Sequence, residues 1–136
     1  MDSVTLAAIE GAFANAFSKD TCAEDDLPFW SPTNRSRGHC AVAALTIHDL
    51  LGGDLLVAEV ERDHEKVGVH YWNRLAGVDV DLTREQFLDN ERVLSPRVVV
   101  RPAGRPTHYA EQYDLFRDRV SAGLGMEIAS REVDAP

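Results

Sequence analysis

His70 to Phe87 reads H-Y-W-N-R-L-A-G-V-D-V-D-L-T-R-E-Q-F, and Trp30 to Leu45 reads W-S-P-T-N-R-S-R-G-H-C-A-V-A-A-L. In and just before the first stretch, the apolar and aromatic runs Val67 to Leu75 and Val78 to Leu82 flank Ala76-Gly77, which predicts a β-hairpin. In the second, the turn residues Ser36-Arg37-Gly38-His39 give way to a helical apolar pattern at Ala41, so Cys40 falls at a helix start. Ala41, Val42, Ala44, Leu45, Ile47, Leu50 and Leu51 make that helix apolar nearly all round and therefore central, and Gly52-Gly53 ends it.

Outward from these stretches, Val4, Leu6, Ala7, Ile9, Phe13, Ala14 and Phe17 recur at near-helical spacing and predict an amphipathic helix over residues 4 to 19. Residues 20 to 38 have the composition of an irregular segment, with Leu27, Phe29 and Trp30 as its expected anchors in the core. Leu55 to Arg62 is a predicted strand and Asp63 to Lys66 a polar turn. Thr83-x-x-Gln86 reads as a capping box opening a short helix to about Asp89. Arg97 to Arg101 reads as a further strand closed by Pro102, and Tyr109, Tyr113, Phe116 and Val120 mark a last helix from about Thr107 to Ala122. Glu127 to Pro136 reads as a polar tail. Helices first, a meandering antiparallel sheet and a closing helix predict a single α+β domain over residues 1 to 136, long enough for a core of its own.

Hydrophobic residues make up 44% and charged residues 27%, which is ordinary globular usage and far from disordered composition. A net charge of −9 argues against the basic face that a phosphate backbone requires, so nucleic acid is not an expected partner. Apolar runs such as Ala41 to Leu45 fall short of the roughly 20 residues that span a bilayer, and no membrane segment is expected. Met1-Asp2-Ser3 lacks the basic start of a secretory signal, which makes the cytoplasm the expected location. Two cysteines, Cys22 and Cys40, are too few for a disulfide scaffold and lack C-x-x-C spacing.

Cysteine attacks as thiolate, a form favoured at a helix N-terminus beside a cationic imidazole. Cys40 occupies such a place, and the unpaired first-turn N–H groups could also hold an oxyanion. The alternative is a small apolar filler, since free cysteine is often buried. His70 lies within the strand Val67 to Trp72, where a solvent-facing residue is more often Thr, Lys or Glu. A two-residue loop at Ala76-Gly77 sets Trp72 opposite Asp81 and His70 opposite Thr83. His70 and Asp81 then share a face as diagonal neighbours, about 7–8 Å apart at the backbone. That is the base and orienter of a thiol triad of Cys40, His70 and Asp81. Asp79 is the fallback orienter on the same face, and Asn73, on the other face, competes if the loop is longer.

His39 adjoins Cys40 and is a candidate for substrate binding or for capping the loop, while His48, His64 and His108 read as solvated or structural. Cys22 reads as a bystander thiol. Cys40, His70 and Asp81 could also present a thiolate, an imidazole and a carboxylate to Zn²⁺ with an open fourth position. No HExxH, CxxC or further ligand pair accompanies them, and neither a metal nor a cofactor is expected.

These residues resemble the YunG-like family of small bacterial proteins, whose pattern runs N-P-x-x-G-Q-C into a helix, then G-G-E/D, H-Y-W-N and D-L-T-x-x-Q-F. The matches are Asn34, Gly38, Cys40, Gly52-Gly53-Asp54, His70-Tyr71-Trp72-Asn73, Asp81-Leu82-Thr83 and Gln86-Phe87, within Trp30 to Phe87. Two departures stand out: Arg35 replaces the proline after Asn34, and His39 replaces the glutamine before Cys40. The order helix cysteine, strand histidine, next-strand aspartate is similar to the papain-like architecture, with N-terminal helices packed on a central antiparallel sheet. That likeness implies Cys40 as nucleophile, His70 as base, Asp81 as orienter and Asn34 at the oxyanion position; His39, Trp72 and Asn73 are further candidates for oxyanion or substrate binding.

Two functions follow as expectations. The first is a cysteine-dependent acyl chemistry enzyme that hydrolyses, deamidates or transfers the acyl group of an amide, ester or thioester. So small a chain favours a small molecule or a single side chain as substrate, and Arg35, Arg37 and Arg74 could hold an anionic group on it. The second is a non-catalytic binding or accessory module in which the polar trio serves packing and Tyr71, Trp72 and Phe87 are core.

Overall fold

Thr5 accepts a hydrogen bond from the Ala8 N–H at 3.1 Å and so starts helix α1 (Leu6–Ala16). The computed structural model, which describes residues 5–101 and 109–129, ends this helix short of residue 19 because Phe17 turns extended and buries its ring. Helix α2 (Cys40–Leu51) ends at Gly52 and Gly53, both at positive φ; a Cβ on Gly53 would lie 2.7 Å from the Arg74 carbonyl oxygen. Helix α3 (Ala110–Leu124) is closed by left-handed Gly125, and its expected start at Thr107 lies outside the described residues. The apolar stripes of the three meet in one core around Ile9, Phe13, Phe17, Val42, Ile47, Tyr113, Phe116 and Val120. Each such apolar side chain contributes about 1.5–3 kcal/mol by leaving water.

The sheet is antiparallel and built around strand β1 (Asp54–Arg62). One edge of β1 pairs with β2 (Glu65–Leu75), which in turn pairs with β3 (Val78–Val80). Its other edge pairs with β4 (Glu91–Val93) near its end and β5 (Arg97–Val99) near its start. Ala76 and Gly77 both have positive φ, as a two-residue hairpin turn requires, and the predicted register holds: Asn73 faces Val80 and Arg74 faces Asp79.

β3 stops at Val80 rather than Leu82, because the Asp81 carboxylate accepts the Thr83 N–H at 3.1 Å and turns the chain out of the sheet. The expected capping box at Thr83 does not form. The Thr83 hydroxyl donates to Asp81 instead, and only a short 3₁₀ turn, Arg84–Gln86, follows.

Period-two alternation divides the sheet residues between two faces. Leu55, Val57, Tyr71 and Asn73 face the helices, and the Asn73 side-chain N–H donates to the Ala44 carbonyl at 3.0 Å. Leu56, Ala58 and Trp72 form a second apolar cluster on the opposite face. The anchors of residues 20 to 38 also differ from expectation: Leu27 and Phe29 are 41% and 39% exposed, and Trp30 is half-buried. Thr21, Cys22 and Arg37 hold the segment instead, and Phe29 lies under the guanidiniums of Arg37 and Arg62, each 5.0 Å from its ring centre. The result is an α+β arrangement of helices on a curled antiparallel sheet. Among the described residues, no helix is long and apolar enough to cross a membrane.

Candidate functional site

Cys40 is the first residue of α2 and half-buried. Gly38 makes that placement possible. Its φ is +76°, and a Cβ there would lie 2.5 Å from the Cys22 sulfur, so a glycine is needed for the chain to turn tightly into the helix. His70 comes from β2, 1% exposed, with its ring stacked on Trp72 at 5.3 Å and edge-on to Phe87 at 4.7 Å. Its Nε2–H donates to Asp81 Oδ2 at 2.6 Å, and the imidazole and the Cys40 side chain line the same small cavity. With Nε2 engaged by Asp81, Nδ1 is the ring nitrogen on the side away from the carboxylate. The other Asp81 oxygen is held by the Thr83 N–H and hydroxyl, which fixes the carboxylate. Burial pulls the His70 pKa down, but the hydrogen bonds and charges of Asp81 and Cys40 outweigh it and raise it to about 9.

A small cavity of about 90 Å³ opens on Cys40 and His70, its lining completed by Gly68, Gln86, Phe87, Arg37 and Glu91 among others. Gln86 is a site residue missed in the sequence, where it stood only as part of the capping box and the D-L-T-x-x-Q-F motif. It is 5% exposed, its Oε1 accepts the Gly38 N–H at 3.1 Å, and its Nε2 lies 3.5 Å from His70 Nδ1. The Gly38 bond fixes which way the amide points, because an N–H must meet an oxygen. The amide NH₂ group therefore faces the imidazole and the cavity that Cys40 lines.

The structure brings Cys40, His70, Asp81 and Trp72 together and separates the other expected site residues from them. Asn34 donates to the Gln86 carbonyl at 3.0 Å and lines a different groove, so it positions Gln86 rather than facing Cys40. His39 is fully buried against Phe17 and Phe116, not at the site entrance. Its Nδ1–H donates to the Arg37 carbonyl at 2.9 Å, so its Nε2 accepts from the Thr21 hydroxyl at 2.7 Å, and burial lowers its pKa to about 4. Asn73 belongs to the helix-facing side of the sheet, since the two-residue loop sends its side chain away from His70. Asp79 is paired with Arg74 at 2.7 Å and accepts from the Trp72 indole N–H at 3.2 Å.

The three arginines are engaged. Arg35 donates to the Phe17 carbonyl, Arg37 to Asp26 and Glu91, and Arg74 to Asp79. Cys22 is buried with its thiol pushed up to about 12 by burial, the profile of an inert thiol. His108 lies outside the described residues. Among the described residues, no group of three or more His, Cys, Asp or Glu side chains is placed as metal ligands are.

A family model described as YunG protein matches residues 5–125. The chain belongs to the YunG family. The match covers all three helices and the whole sheet, well beyond the Trp30 to Phe87 stretch in which the YunG motifs are concentrated. No curated protein and no solved structure matches the chain.

Proposed function

We propose that this YunG chain is a cysteine-dependent acyl chemistry enzyme of papain-like architecture, acting on the amide, ester or thioester of a small molecule or a single side chain. The observation that carries the reading is the grouping of Asp81, His70 and Cys40, in which a carboxylate holds one nitrogen of a buried imidazole and a helix-start thiol lines the same small cavity as that imidazole. An imidazole raised to about 9 is protonated at neutral pH, which is the partner a thiolate needs. The Cys40 sulfur attacks the carbonyl carbon and forms an S–C bond. As the tetrahedral intermediate collapses, the bond to the leaving group breaks and that group takes the His70 proton. Water or an amine then attacks the thioester, giving its proton to His70 and releasing the thiolate. Charge on the carbonyl oxygen is met by the first-turn N–H groups of α2 and the oriented amide of Gln86.

The test is the pH dependence of iodoacetamide alkylation at Cys40 and Cys22, followed by mass spectrometry in wild type and His70→Ala. Fast Cys40 labelling below pH 7 that is lost in His70→Ala supports the thiolate and imidazolium pair. Labelling no faster than that of Cys22 sinks the enzyme and leaves the binding module as the better account.

A further inference from the structure

His70 and Tyr71 are consecutive in β2 and point to opposite faces of the sheet. Cys40, at the start of α2, lines the small cavity of the imidazole, while Ala41, the next residue, lines a separate cavity of about 170 Å³. That cavity is enclosed by the helix residues Ala41 and Ala44, the strand residues Val57 and Val99, and the rings of Tyr71 and Tyr109. Ala44 stands one turn below Cys40 on the same helix face, and Ala41 is its neighbour in the chain, so two residues of the cavity wall flank the residue that bears the sulfur. Tyr109 lies close enough to Cys40 and Tyr71 to feel their charge. Burial and those two neighbours push its phenol up to about 12, so it presents a neutral hydroxyl.

We propose that this cavity is the acyl pocket of the Cys40 site, and that the substrate carries an apolar acyl group the size of a phenyl ring or a short alkyl chain. The proposal rests on the cysteine-enzyme reading above and adds the substrate class to it. Size sets the limit: an apolar protein cavity of about 150 Å³ holds a benzene molecule. Chemistry sets the type, since small side chains, aliphatic walls and aromatic rings offer no counter-charge; Arg97, the cation of the lining, is exposed. The sheet separates the two halves of the reaction. The acyl carbon bonds to sulfur with its chain toward Tyr71 and Tyr109, and the leaving group departs on the side of His70, which protonates it.

The experiment measures acylation of Cys40 by a series of p-nitrophenyl esters (acetyl, butanoyl, hexanoyl, benzoyl and decanoyl), read as release of nitrophenol and as mass added to Cys40. Each methylene that enters the pocket is expected to raise the rate about fourfold, up to hexanoyl or benzoyl, with decanoyl falling back. Ala41→Leu, at a half-buried position, should move the optimum to shorter chains, and Tyr109→Ala to longer ones, each variant being first checked for a wild-type thermal transition. A rate indifferent to chain length, or an optimum that neither folded variant moves, overturns the pocket. If Cys40 in that case still labels with iodoacetamide in a His70-dependent way, the thiol reading survives alone. If it does not label, the thiol reading has failed and the pocket falls with it.

Discussion

Two hydrogen bonds define what Gln86 and His70 can do. The Gly38 N–H holds Gln86 Oε1, so the amide NH₂ is directed toward the imidazole and stays a donor throughout the reaction. In Gln86→Ala, acyl transfer should fall about 10²–10³-fold in kcat, the usual loss of one oxyanion donor. Iodoacetamide labelling of Cys40 should hardly change, because displacement of iodide builds no oxyanion. A parallel loss of both would mean that Gln86 serves only to hold the Gly38 turn. Asp81 is the second case. Its carboxylate is one of the two partners that raise His70 against the cost of burial, so Asp81→Asn should move the imidazole titration below the wild-type value of about 9. Proton NMR of the His70 ring measures this directly, and an unmoved titration would assign the shift to Cys40 alone. His39 marks what adjacency in sequence cannot tell. It sits next to Cys40, yet it is the α2 N-cap residue and its ring points into the core between Phe17 and Phe116.

At the scale of elements, β4 depends on ionic contacts more than on its own sequence. Glu91, 1% exposed at its side chain, accepts from Arg37 at 2.5 Å, from Arg62 at 2.9 Å and from the Leu88 N–H at 2.8 Å. Burial would raise its pKa, but the guanidiniums and that N–H outweigh burial and lower it to about 2. Glu91→Ala leaves the buried Arg37 with Asp26 as its remaining carboxylate partner and should cost about 3–5 kcal/mol, read as a drop in the urea midpoint; Glu91→Gln should cost less. A loss under 1 kcal/mol would mean that water reaches Arg37 freely. This dependence explains what was legible in the sequence. The register of the β2–β3 hairpin, though not the ends of its strands, could be read to the residue because a two-residue loop and period-two alternation are local, and they also placed His70 beside Asp81. α2 could be read from its apolar run and closing glycines. β4 could not, because what holds Glu91-Arg92-Val93 comes from Arg37 and Arg62, far off in sequence. Gln86 escaped notice for the same reason: its partner, Gly38, lies before α2, and the local capping-box pattern suggested a bond that Thr83 gives to Asp81 instead.

For the whole molecule, pH links the core to stability. His39 lies where α1, α3 and the segment before α2 meet, and it is buried as a neutral ring with both nitrogens used, one toward the Arg37 carbonyl and one toward the Thr21 hydroxyl. Burial is the main cause of its depressed pKa of about 4, against the ordinary 6.5. The unfolded chain therefore binds a proton there at a higher pH than the folded one does. Stability from this residue is fully present above pH 6.5 and is lost as pH falls toward 4, by up to on the order of 3 kcal/mol. Glu91 acts lower down: its contribution is present above pH 4.5 and is lost as pH falls toward 2. Urea midpoints between pH 7 and 3 should accordingly decline in two stages, the first set by a histidine and the second by a carboxylate. His39→Gln should flatten the decline between pH 6.5 and 4 and leave the lower one, and Glu91→Gln should do the reverse. If His39→Gln folds and shows the wild-type slope between pH 6.5 and 4, the first stage belongs to another group and the buried neutral histidine is not what ties the three elements together.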